Sequence, residues 1–400
     1  MHIQSVPFAP VSKSTTPDPA GPLELLVLQA TPFCNLDCSY CYLPDRDDSR
    51  KMDFSVIEMA IERVLEAGLA EGEFTAVWHA GEPLVLGIDY YDEAIERIAR
   101  LVPPEITVHH SFQTNGVLID KDWCDFFKRR RIRLGLSIDG PEDIHDRFRK
   151  TRNGKGTHRK VTRAVKLLND AGSHYHVISV LTDDSIQQAD RLFHYFNQLG
   201  CAYLCLNIEE IEGCNQTSTV LENDRYSKYI EFLARFQQLR QQHHSSLRIR
   251  EIDGVITAVM SWQDGTQAEG FRHQENTPFK ILNVDVSGNF STFSPELLGT
   301  RDDFYGDMRL GNLFETSIAE CQQSPHYQTI AHAVRNGVQL CRQECDYFDL
   351  CGGGSPSNKL AENHRFDSTE TEFCRLQKKA CVDFGLKELE QMLGIQTRSN

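Results

Sequence analysis

The sequence predicts an α/β protein: a partial barrel of six parallel βα units, of the TIM type, followed by a smaller cysteine-rich domain. Three observations carry this prediction. From Leu23 onward, short apolar strands alternate with longer amphipathic segments, which is the pattern of parallel βα units. Polar and thiol-bearing residues recur directly after those strands, where barrels of this kind place their sites. Past about residue 215 a helical connector leads to a region of different punctuation, and late in it cysteines gather.

The elements follow in order. Residues 1–22 hold Pro7, Pro10, Pro17, Pro19 and Pro22 and read as a disordered arm without a core of its own. The strands are predicted at Leu23–Ala30, Phe74–His79, Ile106–Thr114, Ile132–Ile138, His174–Leu181 and Cys201–Ile208. Helices are predicted between them at Phe54–Leu69, Tyr90–Leu101, Lys121–Arg130, Lys160–Ala171 and Ile186–Leu199. Six units rather than eight leave one side open, wide enough for a polypeptide to enter. This core is placed at residues 23–215. A connector at 216–275 contains a helix over Val220–Gln242. A second domain at 276–385 opens with a tight turn at Val286–Asn289, and residues 386–400 form a last helix, around Leu386–Leu393, and a polar tail.

Composition narrows the function classes. The 400 residues carry a net charge of −15, which disfavours broad attraction to nucleic acid or to an anionic membrane. The apolar run Leu23–Ala30 is far shorter than the ~20 residues a membrane helix needs. The first twenty-two residues lack the basic start and apolar stretch of a secretory signal. Thirteen cysteines, an odd number, read as ligands and thiols of a reducing cytoplasm rather than as disulfides.

The most specific motif is Cys34-x3-Cys38-x2-Cys41 after the first strand. Three thiolates hold three corners of a [4Fe–4S] cube, which ordinarily takes four, so the fourth iron is open to another ligand. S-adenosylmethionine (SAM) fits that vacancy through its methionyl amino and carboxylate groups, and one electron then releases a 5′-deoxyadenosyl radical. A zinc knuckle is the competing reading, but it needs four closed ligands, and the next cysteine is Cys124.

Further strand ends supply partners. Gly81-Glu82-Pro83 presents a carboxylate for the methionyl ammonium. Asn115, Ser137 and Asp139 are placed to bond the ribose or the SAM carboxylate, or else cap helices and turns. Arg147, or Arg149 beside it, adds a cation, and Tyr40 an aromatic face for adenine. Glu209, Glu210 and Glu212 follow the sixth strand as candidate proton acceptors, with a solvated acidic face as the alternative.

Late in the chain, Cys341, Cys345, Cys351 and Cys374 close a second cluster with no open iron, suited to electron transfer; structural zinc is the alternative there. Cys124, Cys201, Cys205, Cys214 and Cys321 read as small apolar residues, and Cys381 is left open.

Taken together these residues resemble the radical SAM/SPASM peptide maturases, and more narrowly the cyclophane-forming GrrM/OscB-like group. The resemblance spans about Leu23 to Cys381. It includes the first three cysteines, Ala80–Pro83, the stretch from Gly288 to Glu296, Gly311-Asn312, Cys351–Lys359, Glu362-Asn363 and Thr369–Cys374. It implies a radical SAM core with a SPASM/twitch-like auxiliary-cluster domain. The implied substrate is a small ribosomal precursor peptide with glycine-rich repeats, and the implied electron donor a flavodoxin or ferredoxin. The implied reaction is a carbon–carbon crosslink from an aromatic ring to the β-carbon two residues later. Where a full SPASM domain has two further cysteines, this chain has Phe293 and Ser355, so one auxiliary cluster is expected, two in all. Rival readings are a maturase that forms thioether links or oxidises a side chain, as sulfatase-activating enzymes do, and a non-catalytic iron–sulfur protein that binds peptide or carries electrons.

Overall fold

The structure is a computed structural model and describes residues 20–220, 225–263 and 273–394. Of the predicted arm, residues 1–19 lie outside the described residues, as do residues 221–224 of the predicted connector helix and residues 395–400 of the tail.

All six predicted strands form, each within a few residues of its expected bounds: β1 (Leu25–Leu28), β2 (Glu73–Trp78), β3 (Thr107–Thr114), β4 (Arg133–Ser137), β5 (Tyr175–Leu181) and β6 (Tyr203–Ile208). They pair in parallel in chain order, with Leu25 opposite Thr75 and Leu134 opposite Tyr175 setting the register. The crossover helices are α1 (Phe54–Glu66), α2 (Ile88–Leu101), α3 (Lys121–Arg129), α4 (Glu142–Phe148) with α5 (His158–Asp170), and α6 (Asp183–Ile186) with α7 (Ala189–Leu199). Helix α1 shows why they form. Asp53 caps it by accepting from the Ser55 N–H at 2.9 Å, and Val56, Ile57, Ala60, Ile61 and Val64 give one buried stripe against the sheet. The single helix predicted over Ile186–Leu199 breaks in two, because Thr182 and Ser185 cap the short α6 reciprocally before α7 begins.

Behind the sheet, Trp78, Tyr91, Phe112, Trp123, Phe126 and Phe127 pack edge to face; the Tyr91 and Phe112 ring centroids lie 4.7 Å apart. This core backs the ends of β2 and β3, which carry much of the site.

The predicted division at 215 and 275 does not interrupt the sheet. After α8 (Tyr226–Gln242), β7 (Arg248–Ile249) adds in parallel to β6, and α9 (Arg250–Gln263) follows. On the opposite edge β8 (Ile281–Val284) adds in parallel to β1, with Leu25 opposite Ile281. Then β9 (Asn289–Thr292) turns back antiparallel, a small hairpin of β10 (Arg301–Asp302) and β11 (Gly306–Asp307) stands apart, and β12 (Gly311–Asn312) pairs with β9. Among the described residues this makes one ten-stranded sheet running β12-β9-β8-β1-β2-β3-β4-β5-β6-β7. The reason is physical: the free edge of an apolar central strand such as β1 has to be covered, and β8 covers it.

Helices α10 (Ile318–Gln323), α11 (Pro325–Glu344), α12 (Phe348–Cys351) and α13 (Pro356–Asn363) follow. A π-helical stretch, Cys374–Ala380, runs straight into α14 (Cys381–Met392), so the last helix starts earlier than predicted. Among the described residues no helix is long and apolar enough to cross a membrane.

Candidate active site

Two thiol-bearing cavities lie at the strand C-termini and beside them. The larger, about 1330 Å³, is lined by Cys34, Cys38 and Cys41, by Glu82, Asn115, Ser137 and Arg149, and by Glu209, Glu210, Glu212 and Glu296.

The cysteine loop is held from three sides. Arg152 donates to the Cys34 carbonyl at 2.8 Å and Arg46 to the Cys38 carbonyl at 3.2 Å, while the Asp37 and Ser39 N–H groups reach the Lys150 and Phe148 carbonyls. Gly81 brings the second strand end against it. Its φ is +70°, and a Cβ there would run into the Thr31 and Phe33 carbonyl oxygens, so only glycine permits the contact. The next residue is Glu82, 1% exposed. Its carboxylate accepts from the Leu84 N–H at 3.0 Å and the Asn115 N–H at 2.8 Å, and also from the Thr114 hydroxyl. No cationic side chain pairs with it among the described residues. Burial pushes its pKa up to about 7 against the pull of those hydrogen bonds. A buried carboxylate held this firmly, with no protein cation beside it, is fitted to an ammonium group from a ligand. Pro83 starts a short 3₁₀ turn whose carbonyl accepts from the Tyr91 hydroxyl.

The thiols fit a cluster as well. Cys34, Cys38 and Cys41 line one cavity beside Glu82, and thiolates are the donors that a [4Fe–4S] cluster takes. Burial raises the Cys34 thiol to about 12, with Glu82 adding to it, and the Cys38 thiol to about 11 against the opposing charge of Arg149.

Two predicted positions are corrected. Arg147 points away from the cavity and pairs with Asp184 at 2.7 Å, each side chain half exposed. Arg149, at the end of α4, lines the cavity instead, because the chain leaves the helix there and turns it inward. Asp139 was expected to meet a ligand, yet it is 1% exposed and fully engaged: Arg149 grips both its oxygens at 2.9 and 3.1 Å, the Val180 N–H donates at 3.0 Å, and the Tyr40 hydroxyl bonds it. Arg149 holds the Asp139 carboxyl below its usual range despite complete burial. Asp139 therefore orients Arg149 and Tyr40, whose ring lies under the guanidinium at 5.4 Å. Ser137 lines the cavity and accepts from the Gln113 amide at 3.0 Å; Asn115 donates to Asn35 at 2.8 Å beside Cys34.

The acidic loop after β6 divides. Glu209 lines the cavity too, but its carboxylate is engaged and accepts from the Thr219 N–H at 2.7 Å and from its hydroxyl at 2.6 Å. Glu210 and Glu212 line the cavity and accept from the Asn358 amide at 2.8 and 3.1 Å, and Glu212 also from the Ser357 hydroxyl at 2.6 Å. Glu296, from the turn after β9, joins them. Burial and neighbouring carboxylates push Glu210 to about 7 and Glu296 to about 8, and hold Glu212 well above the usual carboxylate range. Sequence reading missed Glu296 and Tyr42 as cavity residues, and gave no role to His79 and Gln113 within the strand-end motifs that hold them. Glu296 lies far along the chain from the barrel, and only the pairing of β8 with β1 returns it to the strand ends.

The second cavity, about 770 Å³, gathers all four late cysteines, Cys341, Cys345, Cys351 and Cys374, together with Lys359 and Asn358. Cys341 ends a face of α11, Cys345 caps that helix and Cys351 ends α12. Glu362 fixes the loop before Cys374 by accepting from the Glu372 and Phe373 N–H groups at 2.6 and 3.2 Å, and Asn363 ties down the Glu370 carbonyl. Phe293 and Ser355 offer no thiolate: the Phe293 ring is buried, and the Ser355 hydroxyl bonds Ser294 and Ser357 at 2.9 and 2.8 Å. Cys381 is packed, 2% exposed, against Tyr229 and the Leu376 carbonyl, outside that cavity.

Residues 28–196 match the family model of the Radical SAM superfamily. An uncharacterized protein of Synechocystis sp. is 38% identical over 94% of both chains. The serine-type anaerobic sulfatase-maturating enzyme of Klebsiella aerogenes is 32% identical over 90% of this chain and 85% of its own. The chain belongs to the radical SAM superfamily. Superfamily members use a [4Fe–4S] cluster and SAM, and this radical SAM enzyme carries its three-cysteine loop within the matched segment. Its fold is that of native anSMEcpe, solved with bound AdoMet and the Cp18Cys peptide, at a TM-score of 0.73 and 22% identity over 93% of this chain and 99% of that one.

Proposed function

We propose that this radical SAM enzyme modifies a ribosomally made precursor peptide, joining an aromatic ring carbon to the β-carbon of the residue two positions later. One observation carries the reading: the two cavities share a wall. Asn358 lines the four-cysteine cavity and hydrogen-bonds Glu210 and Glu212, which line the other. Closing a carbon–carbon bond onto a ring and restoring aromaticity removes a proton and an electron. A carboxylate cluster with a thiol-rich site directly behind it suits both removals.

Bound SAM and its cluster supply the 5′-deoxyadenosyl radical that takes the β-hydrogen. In this reading Cys34, Cys38 and Cys41 hold the cluster, and Glu82 receives the methionyl ammonium. Arg149, kept in place by Asp139, meets the carboxylate of SAM. Tyr40, Ser137 and Asn115 border the nucleoside. Glu210, Glu212 and Glu296 take up the ring proton, their raised proton affinity following from burial among like charges. Cys341, Cys345, Cys351 and Cys374 hold a second [4Fe–4S] cluster that serves as electron acceptor, and a flavodoxin or ferredoxin supplies the starting electron.

The second reading, oxidation of a side chain or thioether formation, draws support from the sulfatase-maturating relative, which is similar along nearly the whole chain. Anaerobic incubation of the reconstituted enzyme and SAM with a synthetic glycine-rich-repeat peptide that carries an aromatic residue in each repeat, followed by tandem mass spectrometry, separates the two. Crosslinking predicts loss of two hydrogens per repeat and suppressed fragmentation between an aromatic residue and the residue two positions on, both abolished by Cys34→Ala. A two-hydrogen loss confined to one side chain, with full fragmentation, selects the second reading.

A further inference from the structure

Lys359 is 5% exposed, on α13, and its ammonium donates to the Cys341 sulfur at 3.3 Å. Among the described residues no carboxylate lies within ion-pairing distance of it. Two other lysines, Lys378 and Lys379, line the same cavity, and Lys379 behaves in the ordinary way and pairs with Glu370. A buried ammonium is costly unless a counter-charge meets it, and among the described residues the partner that meets it is the Cys341 sulfur. The fold prepares the contact from both partners. Gly337 sits one turn before Cys341 on the same face of α11, and a Cβ there would come within 3.2 Å of the Lys359 ammonium and collide with the Phe366 carbonyl. On α13, Ser357 and Asn358 are anchored to Glu212 and Glu210, so the helix that delivers Lys359 is fixed at its first turn.

We propose that Lys359 is a fixed positive charge that raises the reduction potential of the cluster held by Cys341, Cys345, Cys351 and Cys374. The proposal rests on the four-cysteine reading given above. Uptake of one electron makes such a cluster one unit more negative without forming or breaking a bond. A cation hydrogen-bonded to a ligand sulfur stabilises that reduced form, since net charge and hydrogen bonds to sulfur set these potentials. The second cluster is thereby biased toward accepting the electron that the crosslinked ring radical gives up as its proton goes to the carboxylates. Lys359 acts through Cys341 and touches neither peptide nor SAM.

The test is an EPR-monitored redox titration of the reconstituted full chain, wild type against Lys359→Met, Lys359→Gln and Lys359→Arg, with iron counted in each. Loss of the charge is expected to shift the one-electron equilibrium of the second cluster at least tenfold against reduction, 59 mV downward. Lys359→Arg keeps most of the wild-type value. Lys359→Gln keeps a donor without the charge, so a fall there assigns the effect to charge, and it decides the matter if Lys359→Met does not load iron. An unchanged potential in Lys359→Gln with two clusters' iron overturns the role of Lys359 alone. Iron content that Cys341→Ser and Cys374→Ser leave untouched overturns the four-cysteine reading and the proposal with it.

Discussion

Glu296 faces the cavity fully buried, and the neighbouring carboxylates Glu275 and Glu210 add their repulsion to the effect of burial. Its folded pKa of about 8 stands above the ordinary 4.5, so the folded state holds a proton that the unfolded chain has released. The associated stability is fully present below pH 4.5 and is lost as the pH rises through about 8. From about pH 7.5 the buried His79, His110, His145 and His273, pushed down to about 4 by burial, are neutral whether folded or not and drop out of the comparison. Thermal unfolding of the apoprotein is therefore expected to lose midpoint between about pH 7.5 and 8.5, and Glu296→Gln to lose less. Parallel curves for the two proteins would remove Glu296 as a proton-holding group. At this scale, sequence reading was uneven. Glu82 could be placed beside the three cysteines because its Gly-Glu-Pro turn ends the strand that follows the cysteine loop, whereas such a turn alone is ordinarily structural. Arg147 and Arg149 were not separable, because two residues at a helix end point to opposite sides and only the exit of the chain decides which faces in.

Gly81 shows what an element contributes. It follows β2 in the turn before Pro83, with positive φ, and lets that turn lie against the segment leading into the cysteine loop, where any side chain meets backbone. Gly81→Ala is expected to abolish SAM binding and iron loading at Cys34, Cys38 and Cys41 while the proposed site at the four late cysteines, on α11, α12 and the π-helical stretch, still loads iron. Iron content falling by half and equilibrium dialysis with labelled SAM check this; full iron and intact SAM binding would show that the two segments can part without consequence. Glu362-Asn363 plays the same part for Cys374, by taking the free N–H groups and carbonyl of its loop. Such a pair is visible in sequence only as a motif, and its purpose becomes plain once the loop it fastens is seen.

Across the whole molecule, the barrel and the cysteine-rich region behave as one sheet. β8 covers β1, and Gln377 reaches across to bond the Leu206 carbonyl at 3.0 Å and the Ile208 N–H at 3.2 Å on β6. A chain stopped after residue 263 would bare the β1 edge and leave those buried groups unpaired. It is expected to elute as aggregate in size-exclusion chromatography where the full apoprotein does not; a monodisperse truncated protein would show that the barrel stands without its C-terminal half.

What the sequence by itself determined is local and periodic: six strands and their helices, the three-cysteine loop, the Gly81–Pro83 turn and the late cysteines that share a cavity. Apolar period, cap chemistry and ligand spacing act within a few residues, so they can be read from the chain alone. Only the tertiary structure decided that Glu296 joins Glu210 and Glu212, that Asp139 serves Arg149 instead of a ligand, that Lys359 meets Cys341, and that one wall separates the two cavities. Each of those contacts joins residues brought together by sheet pairing or by a change of chain direction, and no spacing along the sequence encodes them.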